Sequence, residues 1–184
     1  MNITWLANAN MNGPMTWADA TTWAANLSFT DGVHTYDNWR LPTVSPVNGT
    51  IFNTNGSYNG STDVGHNVNT VTSEMSHLFY AELGNKAYLD TAGVPQAGWG
   101  LTNTGSFTNL QADYYWFTTE FAPSPESAWF FLFNVGYQDA ATKTSAMYAL
   151  AVSPGDVAAV PEAETYALML TGLGLIGWRA RRRG

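Results

Sequence analysis

The chain contains no cysteine, and this absence excludes several kinds of chemistry. Disulfide bridges, cysteine-ligated zinc sites and thiol catalysis all require a cysteine side chain. The cellular compartment stays open, because the lack of cysteine by itself identifies neither an oxidising nor a reducing environment.

Charged residues are also scarce, at 11% of the 184 residues, where about a quarter is usual. Before Val160 only Arg40, Lys86 and Lys143 are basic, against twelve acidic residues. Binding to phosphates requires clustered lysine and arginine, so we expect no nucleic-acid partner. The same acidic balance disfavours tight binding of sulfated and other anionic glycans.

Aromatic and small polar residues take the place of charge. The chain has eight Trp, nine Tyr and nine Phe, and many Asn, Thr, Ser and Gly residues. Hydrophobic residues make up 45% of the chain, which is enough to bury a core. This composition is typical of a β-rich extracellular or carbohydrate-handling domain, and the length fits one domain with an appendage.

The other four arginines follow an apolar run at the C-terminal end. The run from Tyr166 to Trp178 would span about 20 Å as a helix, less than the roughly 30 Å hydrocarbon core of a bilayer. It has no polar face, and an arginine cluster follows it directly, as in a cytoplasmic stop signal. We therefore predict a membrane-directed tail over 157–184. Its membrane helix and stop signal are Tyr166, Leu168, Leu170, Gly172, Leu173, Gly174, Trp178, Arg179, Arg181, Arg182 and Arg183.

Hydrophobic spacing and end signals predict two helices in the first half of the chain. Residues 16–27 place their apolar side chains on one helical face, with Thr16 as the N-cap and Asp19 at the capping-box position. Residues 72–84 form the second helix, which ends at Gly84.

Strand signals dominate the second half. Aromatic and β-branched runs predict strands over 113–121, 127–138 and 145–154, in addition to a short strand over 3–6. Residues 44–71 are rich in Asn, Gly, Ser and Thr and predict a long surface loop. This order of elements predicts an α+β fold, with two helices flanking a mostly antiparallel sheet.

A few residues invite functional interpretations that the sequence does not favour. Glu74 and His77 have the spacing of half a metal site, but no second half exists, and a solvated helix face accounts for them. Arg40 is expected to pair with a carboxylate or to cap carbonyl groups near the core. Trp116 and Trp129 are expected to be core aromatics on adjacent strands.

Several phrases in 1–156 resemble the bacterial Lcl C-terminal domain family. They are MTWADATTWAANL, DNWRLPT, SEMSHLFYAELGN and the stretch from YYWFTTEF to ALAVSPGD. The resemblance implies a C-type-lectin-like fold for this head, with a first strand and a signal peptide ahead of Met1. The first residues themselves lack the basic and apolar regions of a signal peptide.

The tail resembles the PEP-CTERM sorting signal that exosortases process. Val160, Pro161 and Glu162 match its motif, Ala163 stands in place of the second proline, and Thr165 precedes the apolar run. The resemblance implies an exported precursor that the C-terminal helix anchors in the inner membrane. An exosortase would cut it near the motif and leave it at the cell surface or outside the cell.

No sequence motif points to catalysis. HExxH, GxSxG, SxxK and phosphate-loop patterns are missing, as are the calcium-binding triplets of sugar-binding C-type lectins, so we expect no catalytic residue, metal or cofactor. Loop aromatics are instead candidates for stacking on sugar rings. These candidates are Phe52, Tyr58, Trp99 and Phe107.

Three functions stay open at this point. The first is a non-enzymatic surface or matrix protein whose lectin-like head binds exopolysaccharide or partner proteins. The second is a structural surface protein that self-associates through aromatic strands. The third is a hydrolase acting on exopolysaccharide, which would need a cleft with converging carboxylates.

Overall fold

The computed structural model describes residues 1–30 and 35–155. The predicted sorting motif, the membrane helix and the arginine cluster lie outside these residues. No helix within 1–30 or 35–155 is long and apolar enough to cross a bilayer.

The head is an α+β unit with short helices and mostly antiparallel strand pairing, as predicted. Its strands are β1 Ile3–Trp5, β2 Phe29–Thr30, β3 Thr35–Tyr36, β4 Gly56–Ser57, β5 Val64–His66, β6 Tyr114–Glu120, β7 Ser127–Leu132, β8 Tyr137–Thr142 and β9 Val152–Pro154. Its helices are α1 Trp17–Ala25 and α2 Glu74–His77, and a π-helical turn over Leu78–Glu82 continues α2. Five strands form one sheet in the order β4-β5-β8-β7-β6, in which β4 and β5 are parallel.

Successive side chains of β6 and β7 point to opposite faces of this sheet, and both faces are buried. On one face, Trp116 and Phe130 pack in a cluster with Ala20 and Ala24 of α1. On the other face, Trp129 and the other alternate residues of β6 and β7 pack with α2 and the π-helical turn. Trp116 and Trp129 are fully buried on adjacent strands, as predicted. The two helices therefore lie on opposite sides of the sheet.

The two helices follow their predicted signals to different extents. Thr16 caps α1, because its side chain accepts the Asp19 backbone N–H at 3.3 Å and donates to the Asp19 carboxylate at 2.7 Å. The second helix is α-helical for only one turn and then widens, since the Leu83 N–H bonds the carbonyl of Leu78 at 2.9 Å. Gly84 follows with a φ of +67°, which a glycine adopts without strain.

The predicted long loop over 44–71 is wrong in part, because it contains β4 and β5. The buried carboxylate of Asp63 accepts backbone N–H bonds from Val47 at 2.7 Å and Asn53 at 2.6 Å and ties the segment to the sheet. Hydrogen bonds between distant residues, and not local hydrophobic periodicity, hold these short strands in place.

Two predicted strands also need correction. The run over 127–138 turns at Gly136, and β8 then continues to Thr142 as a separate strand. Of 145–154, only Val152–Pro154 forms a strand, because only these residues find a pairing partner in β1. The pairing of β1 with β9 places Gly155 beside Asn2, whose carbonyl accepts the Gly155 N–H at 3.0 Å.

Candidate functional site

A hairpin loop over 86–100 projects from the head and carries exposed aromatic side chains. Its ends are joined by a hydrogen bond from the Gly100 N–H to the Lys86 carbonyl at 2.9 Å. Near the tip, the Asp90 N–H bonds the Val94 carbonyl at 2.8 Å, and the Asp90 side chain accepts the Val94 N–H at 2.9 Å. The loop is therefore braced by backbone and side-chain hydrogen bonds along its length.

Three aromatic residues belong to this loop or pack on it. Tyr88 and Trp99 form a perpendicular pair with ring centroids 5.0 Å apart, and they are 37% and 43% exposed. Tyr58 is 55% exposed and lies against Gly93, where an added Cβ would come within 2.8 Å of its ring. The predicted candidates Tyr58 and Trp99 are thus both associated with this hairpin loop, Trp99 within it and Tyr58 packed against Gly93. We call Tyr58, Tyr88 and Trp99 the aromatic face.

Asn67 fastens the Tyr58 segment to the hairpin loop. Its side-chain amide donates to the carbonyls of Tyr58 at 2.6 Å and Leu89 at 2.9 Å. Its backbone N–H donates to the Tyr80 hydroxyl at 2.8 Å, which in turn donates to the Gly136 carbonyl at 2.6 Å. Burial raises the pKa of Tyr80, so this hydroxyl keeps its proton and its donor role.

Polar side chains lie close to Tyr58. Tyr137 donates to the Asp139 carboxylate at 2.9 Å, and burial, together with the neighbouring Asp139 and Tyr58, raises the pKa of Tyr137 to about 12. The rings of His66 and Tyr137 pack together with centroids 5.0 Å apart, and burial lowers the pKa of His66. Tyr137 and His66 are therefore uncharged at neutral pH, and Asp139 supplies a carboxylate beside them.

The other two predicted stacking residues lie elsewhere. Phe52 is half-buried against Trp129, with ring centroids 4.8 Å apart, and belongs to the core around β7. Phe107 is half-buried against Trp5, with centroids 6.2 Å apart. The structure thus places two of the four candidates, Tyr58 and Trp99, at the hairpin loop, and a sugar-stacking role for any of the four stays a prediction.

Sequence reasoning missed Tyr88, although a usable signal existed. Tyr88 lies in the same irregular segment as Trp99, residues 85–112, which contains several Gly and Asn residues. The same loop signal therefore identifies Tyr88 as well as Trp99.

The interpretation of Glu74 as part of a solvated helix face is wrong. Glu74 is 8% exposed, and each of its carboxylate oxygens accepts a 2.8 Å hydrogen bond from the Arg40 guanidinium. The hydrogen bond to Glu74 also raises the pKa of Arg40. The expected pairing of Arg40 with a carboxylate is therefore confirmed. Within the described part of the chain, no group of three or more His, Asp or Glu side chains could hold a metal ion.

Comparison with known proteins identifies both parts of the chain. Residues 1–153 match the family model of the Lcl C-terminal domain, and residues 159–183 match the PEP-CTERM protein-sorting motif. No curated protein and no solved structure matches the chain. The sorting motif implies export, a membrane-anchored precursor and processing by an exosortase. Since the first match covers most of its length, the chain belongs to the Lcl C-terminal domain family, and it carries a PEP-CTERM sorting motif behind that domain.

Proposed function

We propose that this exported chain is a non-enzymatic surface or extracellular-matrix protein whose head binds polysaccharide through the aromatic face. The observation that carries the proposal is a set of three exposed aromatic rings, with Tyr88 and Trp99 on a braced hairpin loop and Tyr58 packed against that loop at Gly93. The PEP-CTERM motif supports it, because an exosortase substrate reaches the compartment where cell-surface polysaccharide lies.

Aromatic rings in this arrangement suit the apolar faces of sugar rings. Stacking removes apolar surface from water, and a ring that is already braced loses little conformational entropy on binding. Polar groups near Tyr58, the Tyr137 hydroxyl and the Asp139 carboxylate, can accept hydrogen bonds from sugar hydroxyls. The surface thus offers apolar contacts to a sugar ring and polar groups that orient the sugar.

We further propose that the head has a C-type-lectin-like fold. Its membership in the Lcl C-terminal domain family and its α+β architecture, with long irregular segments between the elements, support this assignment. We also propose that the predicted membrane helix anchors the precursor. This helix lies within the part of the chain that matches the sorting motif.

A binding role fits the carboxylates better than hydrolysis does. A glycoside hydrolase needs two carboxyl groups facing a substrate cleft. The two most buried carboxylates of the described residues are occupied, since Asp63 accepts backbone N–H bonds and Glu74 binds Arg40. This use of the buried acids supports a non-enzymatic head.

Self-association through a strand edge is less favoured. The outer edge of β6 is covered within the chain, because the Trp116 N–H bonds the Tyr148 carbonyl at 3.1 Å and the Thr118 N–H bonds the Pro42 carbonyl at 2.8 Å. A covered edge does not offer its backbone groups to a second copy.

The test compares polysaccharide binding of aromatic variants. A glycan array with the full chain in detergent identifies a ligand, and calorimetry then measures its affinity. We expect Tyr58→Ala and Trp99→Ala each to weaken binding about tenfold, since exposed aromatic anchors dominate such interfaces.

Tyr114→Ala is the matched control, because Tyr114 is 39% exposed and packs perpendicular to Phe130 at 5.1 Å, much as Tyr88 packs on Trp99. An equal loss in this control, or full binding by the Tyr58→Ala, Trp99→Ala double variant, would refute the assignment. A reducing-sugar assay on the same ligand should show no turnover, and turnover would favour the hydrolase.

A further inference from the structure

A concave region lies on the head and shares no residue with the aromatic face. It is a cleft of about 400 Å³ between β1, the π-helical turn and the segment around residue 106. A volume in this range is enough for a small ligand. Its main lining residues are Trp5, Leu78, Glu82, Leu83, Ser106 and Phe107.

Two aromatic rings form a corner of this cleft. The rings of Trp5 and Phe107 meet at 75° with centroids 6.2 Å apart. Leu83 is buried and lies close to Gly105, where an added Cβ would come within 2.9 Å of the leucine side chain. Glycine at this position, with a φ of +56°, lets the segment that carries Phe107 approach the π-helical turn.

Glu82 supplies a negative charge beside this apolar corner. Its side chain is 37% exposed, and its ion-pair partner among the described residues is His77 at 3.9 Å, beyond hydrogen-bond distance. Two of the three cations of the head are engaged elsewhere, since Arg40 pairs with Glu74 and Lys143 with Glu120. Among residues 1–30 and 35–155, the carboxylate therefore has no cation within hydrogen-bond distance and can receive one from a ligand.

We propose that this cleft binds the ammonium group of an amino sugar in a partly de-N-acetylated polysaccharide. The ammonium group would form a charge-assisted hydrogen bond to Glu82 and lie near the aromatic rings, which attract cations. The rigid sugar ring would pack in the corner of Trp5 and Phe107, and Ser106, which also lines the cleft, would offer its hydroxyl to the sugar. The acidic balance of the head favours the approach of such a cationic polymer.

A sugar fits this cleft better than a lysine side chain of a peptide. A sugar ring is rigid and presents an apolar face, so it gains contact with both aromatic rings at small entropic cost. A lysine carries the same charge on a flexible stem, whose ordering costs more free energy.

Calorimetry on the full chain in detergent tests the proposal with short oligomers of glucosamine and of N-acetylglucosamine of equal length. We expect the glucosamine oligomer to bind and the acetylated one to bind at least about tenfold more weakly, because acetylation removes the charge. Glu82→Gln should weaken glucosamine binding by a similar factor. Glu126→Gln, at an exposed carboxylate elsewhere on the head, should leave the affinity unchanged.

Equal binding of the two oligomers, or an equal loss in Glu126→Gln, would overturn the proposal. Tighter binding of an oligolysine peptide than of the glucosamine oligomer would overturn it too and would assign the cleft to basic peptides. Phe107→Ala is a second variant and should weaken glucosamine binding. Its conservative partner, Phe107→Tyr, should keep that binding. Tyr58→Ala and Trp99→Ala should leave glucosamine binding intact, so failure of this site is distinguishable from failure of the aromatic face.

Discussion

At the scale of single residues, Arg40 and Glu74 form a bidentate ion pair near the core. Both hydrogen bonds measure 2.8 Å, and the Glu74 carboxylate also accepts the backbone N–H of Thr43 at 2.6 Å. The pair joins the extended segment before Pro42 to the start of α2. It therefore fixes the positions of these two parts of the chain relative to each other.

Glu74→Gln should lower the free energy of unfolding by about 2–3 kcal/mol, because Arg40 then keeps its charge with a weaker partner. Urea denaturation of the variant measures this change. Glu120→Gln is the control, since Glu120 pairs with Lys143 at 3.3 Å but its side chain is 57% exposed. An exposed pair contributes about 1 kcal/mol or less, so equal losses in the two variants would contradict this account.

The aromatic residues show how far single positions can be read from sequence. The sequence places Tyr58, Trp99 and Phe52 alike in loops, but Tyr58 and Trp99 are exposed, whereas Phe52 packs on Trp129. Local sequence marks an aromatic residue as lying outside a strand or helix. Whether its ring is exposed depends on what packs against it.

At the scale of elements, the turn between β7 and β8 and the π-helical turn fit closely together. Gly136 has a φ of +63°, and a Cβ added there would lie 2.7 Å from both the Phe79 ring and the Tyr80 hydroxyl. The turn and the π-helical turn therefore pack together only if this position lacks a side chain.

Gly136→Ala should cost about 3 kcal/mol or more of unfolding free energy, because it adds a steric clash to the backbone strain of a positive φ. Gly84→Ala, at a φ of +67° with no atom within 4 Å of the added Cβ, should cost only about 1–2 kcal/mol. Parallel urea denaturation curves measure both values. Similar losses would show that packing between the two turns contributes little.

At the scale of the whole molecule, the first and last described strands close the head. β1 pairs with β9, and the Thr4 hydroxyl donates to the Gly155 carbonyl at 2.8 Å. The sorting motif starts only a few residues further on, at 159. The last described strand, β9, thus ends before the matched sorting motif begins.

We expect residues 1–155 to fold without the tail and to be monomeric, because β9 is included and the outer edge of β6 is covered by the chain itself. Light scattering over a range of concentrations measures the mass, and thermal unfolding measures cooperativity. A shorter chain of residues 1–150, which lacks β9, should lose cooperative unfolding. Concentration-dependent dimers of 1–155 would instead favour the self-associating structural protein.

The sequence by itself determined the features that depend on neighbouring residues. Thr16 and Asp19 cap α1, Gly84 follows the second helix, and the sorting motif is contiguous, so each was predicted from a short stretch. The tertiary structure alone decided that 44–71 adds two strands to the sheet, that Glu74 is buried against Arg40, and that Tyr88 joins the aromatic face. These features depend on contacts between residues far apart in the chain, and local propensity carries no information about which distant partner a side chain or a strand will meet.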